Sequence, residues 1–497
     1  MTAVQSCRQA RMMLASCVAL IGLVCGRADA GEARLAQAVK DRDVDLVRRL
    51  LTERQDVNAA LGDGSTALHW AVHWNDVETT RLLIRAGAAV STADDYGVTP
   101  LLLAAENGTL ALVDALLEAG APAAAALPTG ETALMTAART GRSDVVAALV
   151  SRGADVNAKE KTRGQTALMW AAAERHTDTV RLLIDRGADI HARSAAGYTP
   201  LLFGARAADV ETTRTLLRAG ADINEAAADG MTALMTAIVR RRLDYARFLL
   251  DAGADPDKGP GYTALHWAAG EWNGELSASV AEDSEWGAFG GLRGAERLDF
   301  VKLLLSRRAD PNARVTRNPR RYGGAGGNAG SLVGATPFLL AAMAADVAVM
   351  RTLLEAGADP GAQTSSKTTA LMLAAGLGHA PGITPIPESS ALDSVKLTLE
   401  LGGDVNAAND AGETPLHAAA YWGADTVARL LIEKGARIEA KNRKQWTPLV
   451  IAEGIYQGGG VKYFPTTAEL LRKLGAEPSR PDVDRANGGY TPPDGRR

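Results

Sequence analysis

Apolar positions along this chain come in short bursts separated by polar breaks. One burst is a narrow face of Leu and paired Ala, as in Leu416-His417-Ala418-Ala419. A second follows, as in Val180-Arg181-Leu182-Leu183-Ile184. Both predict short helices: Ala and Leu favour the helix, and small Ala side chains let neighbouring helices approach closely. A Thr stands before the first burst, as at Thr132 and Thr414, where its hydroxyl can accept from the first backbone N–H groups. Pro or Ala follows at the first helical position, where Pro costs no hydrogen bond. The second burst ends at Gly187-Ala188-Asp189, with Gly supplying a left-handed cap. Asp189 to Ala196 then reads as an extended turn into the next unit.

This unit recurs. Gly64-Ser65-Thr66-Ala67-Leu68-His69-Trp70-Ala71 returns as Gly97-Val98-Thr99-Pro100-Leu101 and as Gly130-Glu131-Thr132-Ala133-Leu134. Further copies begin at Gly164, Gly197, Gly230, Gly261, Gly334, Thr368, Gly412 and Gln445. The common spacing is about 33 residues, which indicates a stacked array and excludes a set of unrelated globular domains.

The repeated unit resembles the ankyrin-repeat family. Thr414-Pro415-Leu416-His417 carries its Thr-Pro-Leu-His motif intact, and Thr66–His69 and Thr263–His266 carry Thr-Ala-Leu-His. Gly-Ala-Asp followed by Asn stands at Gly153–Asn157 and Gly220–Asn224. The resemblance covers roughly residues 33–477. It implies an all-α solenoid of helix-turn-helix units with projecting hairpin loops. It also implies a protein that binds other proteins through a concave face and hairpin tips, without catalysis.

Residues 31–63 contain a helical pair without the Thr-Pro-Leu-His motif, as expected of an N-terminal cap. Regular repeats fill 64–260, and repeats with insertions fill 261–477. The insertions fall at 271–297, 313–333, 377–391 and 454–465. The first, third and fourth separate the two helices of a repeat and should emerge on one edge; 313–333 lengthens a hairpin. Arg308 stands where Gly closes other second helices. A left-handed Arg costs about 1 kcal/mol or more, so that cap is expected to be remodelled. Residues 478–497, rich in Pro, Gly, Asp and Arg, read as a disordered tail.

The N-terminus reads as a signal peptide, residues 1–30. Arg8 and Arg11 precede an apolar run from Met12 to Gly26, and Ala28 and Ala30 give a small-x-small cleavage site. At about 15 residues that run is short for a membrane span. Leu14-Ala15-Ser16-Cys17 resembles a lipoprotein box but sits too early in the run. Export to the periplasm is the expectation, with full secretion the alternative. Cys7, Cys17 and Cys25 all lie inside this segment, so the mature chain has no disulfide, thiolate nucleophile or cysteine metal site. A net charge of −4 and a pI near 6.1 exclude a strongly basic nucleic-acid binder.

Catalytic and cofactor motifs are not found. His69, His266 and His417 share one repeat position, where the imidazole can bond neighbouring hairpin backbone. His73, His176, His191 and His379 form no metal-ligand spacing. The run Gly323–Gly327 lacks the Lys-Ser/Thr of a phosphate loop. No cofactor, metal or catalytic residue is expected.

The rings carry the functional expectation. Trp70, Trp170 and Trp267 share one position and read as a structural ladder. Trp74, Tyr96, Tyr198, Tyr262, Trp272, Tyr421, Trp422 and Trp446 lie at hairpin tips or on the first helices, and are the candidate protein-binding anchors. Arg314, Arg317, Arg320 and Arg321 crowd the long hairpin, where they could grip an acidic partner or a surface phosphate, or form a solvated loop. The function expected is that of an exported scaffold. The alternatives are an effector acting on another cell and an enzyme whose site the insertions build.

Overall fold

The computed structural model describes residues 33–270, 292, 294–318, 331–379, 386–457 and 460–478. The expected signal peptide, Trp272, Arg320, Arg321 and the tail from 479 onward lie outside them. The described residues form 24 helices and one small hairpin, in which Ile455–Gln457 pairs antiparallel with Gly460–Lys462. They divide after Asp189 into two compact units.

The first unit opens with the pair Arg34–Lys40 and Val44–Thr52. Four repeats follow, with first helices Ala67–His73, Pro100–Asn107, Ala133–Thr140 and Ala167–Ala173. Each first helix lies against the next. Ala71, Ala104, Ala137 and Ala171 are wholly buried, as close helix packing requires. The second unit holds seven repeats, from Pro200–Ala207 to the pair Pro448–Glu453 and Pro465–Lys473.

Local chemistry sets the helix ends. Thr99 Oγ1 accepts from Leu102 N at 3.4 Å, and Pro100 takes the first helical position. Where His stands two residues further on, the cap doubles. His417 Nδ1 accepts from Thr414 N at 3.2 Å, while Thr414 Oγ1 accepts from His417 N at 3.4 Å. At the far end of the second helix, Gly187 has φ +87° and the backbone closes with Gly187 N to Ile184 O and Ala188 N to Leu183 O.

Two expectations need correction here. The cap at Arg308 is not remodelled. Arg308 takes φ +67° and donates to Leu305 O at 3.0 Å, with Ala309 N on Leu304 O at 3.0 Å. The array absorbs the strain of a left-handed Arg and keeps the shape of the Gly caps. The copy placed at Thr368 starts one residue earlier: Lys367 has the left-handed φ of +60° and Thr369 is the N-cap.

The insertions alter helix lengths. The second helices Gly294–Ser306 and Glu388–Glu400 have 13 residues each, while Val347–Glu355 between them has nine. Both long helices therefore begin inside the segments read as insertions, 271–297 and 377–391. The insertion 454–465 contains the small hairpin.

Candidate functional site

The three repeated histidines are structural, as their position implied. Each Nδ1 accepts from the N-cap Thr backbone N–H, which leaves the proton on Nε2 to donate to the next hairpin. His69 Nε2 reaches Val98 O at 3.0 Å, His266 Nε2 reaches Ala335 O at 3.1 Å, and His417 Nε2 reaches Trp446 O at 3.0 Å. Burial pushes the pKa of His266 and of His417 down to about 4, and that of His69 down as well.

The candidate rings divide sharply. Tyr96, one residue before the hairpin glycine, is 65% exposed, and Trp74, at the end of a first helix, is 40% exposed. Tyr198, Tyr262 and Trp446 share a different place, between the hairpin glycine position and the N-cap Thr. That place faces inward: Tyr198 and Trp446 are buried, and half-buried Tyr262 stacks on Trp267 at 6.0 Å. Tyr421 is buried too, its hydroxyl donating to Glu413 Oε1 at 2.9 Å. Burial, then the Glu413 carboxyl, push its phenol pKa up. Trp422 is half-buried, because His379 from the insertion stands edge-on to it at 4.7 Å. Tyr198, Tyr421 and Trp446 are therefore core residues and not surface anchors.

The tryptophan ladder is also corrected. The repeats between Trp70, Trp170 and Trp267 carry Leu103, Thr136, Phe203 and Thr236 at the same place, so the indoles do not stack on one another. Each has its own cover: Lys40 Nζ lies 4.6 Å from the Trp70 ring centre, Arg139 lies 5.5 Å from that of Trp170, and Tyr262 covers Trp267.

The hairpin arginines brace backbone. Arg314 Nη1 donates to Gly334 O and Gln363 O, both at 3.0 Å. Arg317 Nε donates to Pro260 O at 2.9 Å and its Nη2 to Asp229 O. Arg193 makes the same bridge as Arg314, to Gly197 O and Ala226 O. The grip expected of Arg314 and Arg317 is thus spent inside the fold, tying successive hairpins together.

Two features were not anticipated. One is a cleft of about 480 Å³ over the start of Val347–Glu355, walled by the extra turns of the two long helices. Arg297 lines it, 97% buried by residue, with Nε on Leu292 O at 2.8 Å and Nη1 3.4 Å from Asp346. No period pointed to it, because it falls in an insertion. The other is a cluster at the N-terminal end of the array. There the exposed Trp74 meets Trp70 at 6.2 Å and His73 at 4.8 Å between ring centres. Its Nε1 donates to Lys40 O at 3.2 Å, and Arg42 lies 5.6 Å from its ring centre. The signal was present in the sequence as basic residues closing helix Arg34–Lys40, but the contact joins the cap to the first repeat.

Among the described residues, no group of three or more His, Cys, Asp or Glu is placed to hold a metal ion, and no helix is long and apolar enough to cross a membrane.

Comparison with known proteins follows the same lines. A family profile of ankyrin repeats in three copies matches residues 35–126, 122–194, 201–278 and 388–482, and a single-repeat profile matches 333–365. The human ankyrin repeat and SOCS box protein 16 is 33% identical over 126 residues, which is 25% of this chain and 27% of that protein. The human ankyrin repeat domain-containing protein 63 is 33% identical over 127 residues, 24% of this chain and 30% of its own length. The chain thus spans under a third of either relative. The crystal structure of the human ASB11 ankyrin repeat domain matches with 25% identity and a TM-score of 0.41, covering 45% of this chain and 99% of that one.

Proposed function

Because the chain belongs to the ankyrin-repeat family, we propose that it is an exported scaffold that captures another protein on the first-helix face and hairpin tips of its N-terminal unit. The observation that carries this reading is the exposure of Trp74 and Tyr96. The core of the repeats that carry these two rings is filled by Leu, Val and Ala, so packing does not call for the rings at the surface. Exposed Trp and Tyr cost solubility and repay it as interface anchors, each worth ~2 kcal/mol or more when central to a contact.

The test is partner capture from the compartment outside the inner membrane by the full chain and by the double variant Trp74→Ser, Tyr96→Ser, read by mass spectrometry. The double variant should lose the specific partner and keep its helical circular dichroism. An unchanged set of captured proteins counts against the assignment. Export rests on Arg8, Arg11, the run Met12–Gly26 and the Ala28-x-Ala30 site. N-terminal sequencing of the cellular protein should begin at Gly31, and a chain beginning at Met1 in the cytoplasm would remove the exported part of the proposal.

A further inference from the structure

We propose that the cluster formed by Lys40, Arg42, Trp70, His73 and Trp74 is the docking site for an acidic segment of the partner, one that presents carboxylates to Lys40 and Arg42. The inference rests on the binding reading above and names the chemistry of the partner.

Charge bookkeeping leads to it. The carboxylates around the cluster keep their charge, and Asp63 feels that of Lys40, but each is turned toward neutral donors of its own. Asp41 accepts from Gln37 Nε2 at 2.9 and 2.8 Å, one contact on each oxygen. Asp43 caps Leu46 N at 2.9 Å. Asp63 accepts from Ser65 N at 3.0 Å and Ser65 Oγ at 2.5 Å. Asp76 caps Thr79 through N at 2.9 Å and Oγ1 at 2.6 Å. Among the described residues no carboxylate lies within ion-pair distance of Lys40 or Arg42. The contrast lies in the same unit: Arg139 also covers an indole, but Glu131 stands 3.8 Å from it.

The two cations are held in place by the rings. Lys40 lies over Trp70 and Arg42 over Trp74, and the Trp74 indole is fixed by its bond to Lys40 O. Arg42 itself has the left-handed φ of +61°, with its N–H on Val39 O at 3.1 Å, so the backbone that carries it is closed. A guanidinium resting near an indole face is partly shielded on that side and loses some rotamer freedom before any ligand arrives. A carboxylate that reaches it gains a charge-assisted bond at a reduced ordering cost. The exposed edge of Trp74 beside it offers apolar contact to the next side chain of the same segment.

The experiment uses the full chain and two fluorescein-labelled peptides, Glu-Leu-Glu-Leu-Glu-Leu and its twin Gln-Leu-Gln-Leu-Gln-Leu, followed by anisotropy. The acidic peptide should bind, and binding should weaken as salt rises. The twin should bind at least tenfold more weakly. Lys40→Gln with Arg42→Gln should abolish the difference between the peptides. Lys40→Arg with Arg42→Lys should restore it, and Arg139→Gln should leave it intact. Equal binding of both peptides, or an acidic preference that survives the Lys40→Gln, Arg42→Gln double variant, would overturn the inference, as would capture of phosphatidylglycerol vesicles without capture of the peptide. Failure here is separable from failure of the scaffold reading. If only the acidic partner is wrong, Trp74→Ser still abolishes capture of the cellular partner while the Lys40→Gln, Arg42→Gln double variant does not.

Discussion

Lowering the pH should unlatch individual repeats at the buried histidines before it affects their neighbours. His266 and His417 are both fully buried, and each is held neutral by its geometry. Nδ1 faces the N-cap Thr N–H at 3.1 Å in one case and 3.2 Å in the other, so a proton placed there would meet another donor. Burial and this arrangement hold both pKa values at about 4, against an ordinary 6.5. Each pKa unit is worth about 1.4 kcal/mol, so each histidine contributes about 3 kcal/mol. The unfolded chain binds the proton more readily. That contribution is therefore whole above pH 6.5, shrinks as pH falls, and is gone below about pH 4. Because each repeat packs chiefly against its neighbours, the loss should appear first near the histidine. Hydrogen exchange, corrected for the intrinsic pH dependence of the amides, reads this directly. Helix Pro415–Trp422 should lose protection between pH 6.5 and 4, while Pro200–Ala207, which has Leu202 at the histidine place and lies outside the repeats next to His266 and His417, should hold. His417→Gln should flatten the pH dependence of its own helix. Equal loss in both helices, or no loss in either, would refute the reasoning.

Arg308→Gly should stabilise the second unit by about 1 kcal/mol, since Gly adopts a positive φ without the Cβ penalty; a melting temperature that falls or stays put would contradict this. Gln165→Ser should add about 1 kcal/mol to the first unit. Trp70 Nε1 donates to Ser65 Oγ at 2.9 Å, whereas Trp170 Nε1 is buried without a partner among the described residues and has Gln165 at the Ser65 place; an unchanged denaturation midpoint would show that the hydroxyl does not reach it. Tyr421→Phe should cost about 1–3 kcal/mol, because buried Glu413 loses one of its two donors, Tyr421 and Asn442. Partner capture should be unaffected by that change, and capture lost at unchanged stability would place Tyr421 at the interface after all.

The repeat, its caps and the role of the Thr-x-x-His histidines were legible along the chain because each is local. Thr, Pro, His and Gly act within four residues of one another, and the same short pattern recurs in every copy. The exposure of a ring was legible only in part. Trp74 and Trp422 stand at the same place in their repeats, yet one is open and the other is covered by His379 from an insertion. Tyr421 looks like an end-of-helix anchor until Glu413 and Asn442, from two separate hairpins, converge on one another. Arg314 and Arg317 look like a free basic run, yet they are bonded to carbonyls up to 88 residues away. Periodicity thus determined the architecture, which depends on neighbours along the chain. Only the tertiary structure decided which rings and charges remain available to a partner, because that depends on which distant segments come to cover them.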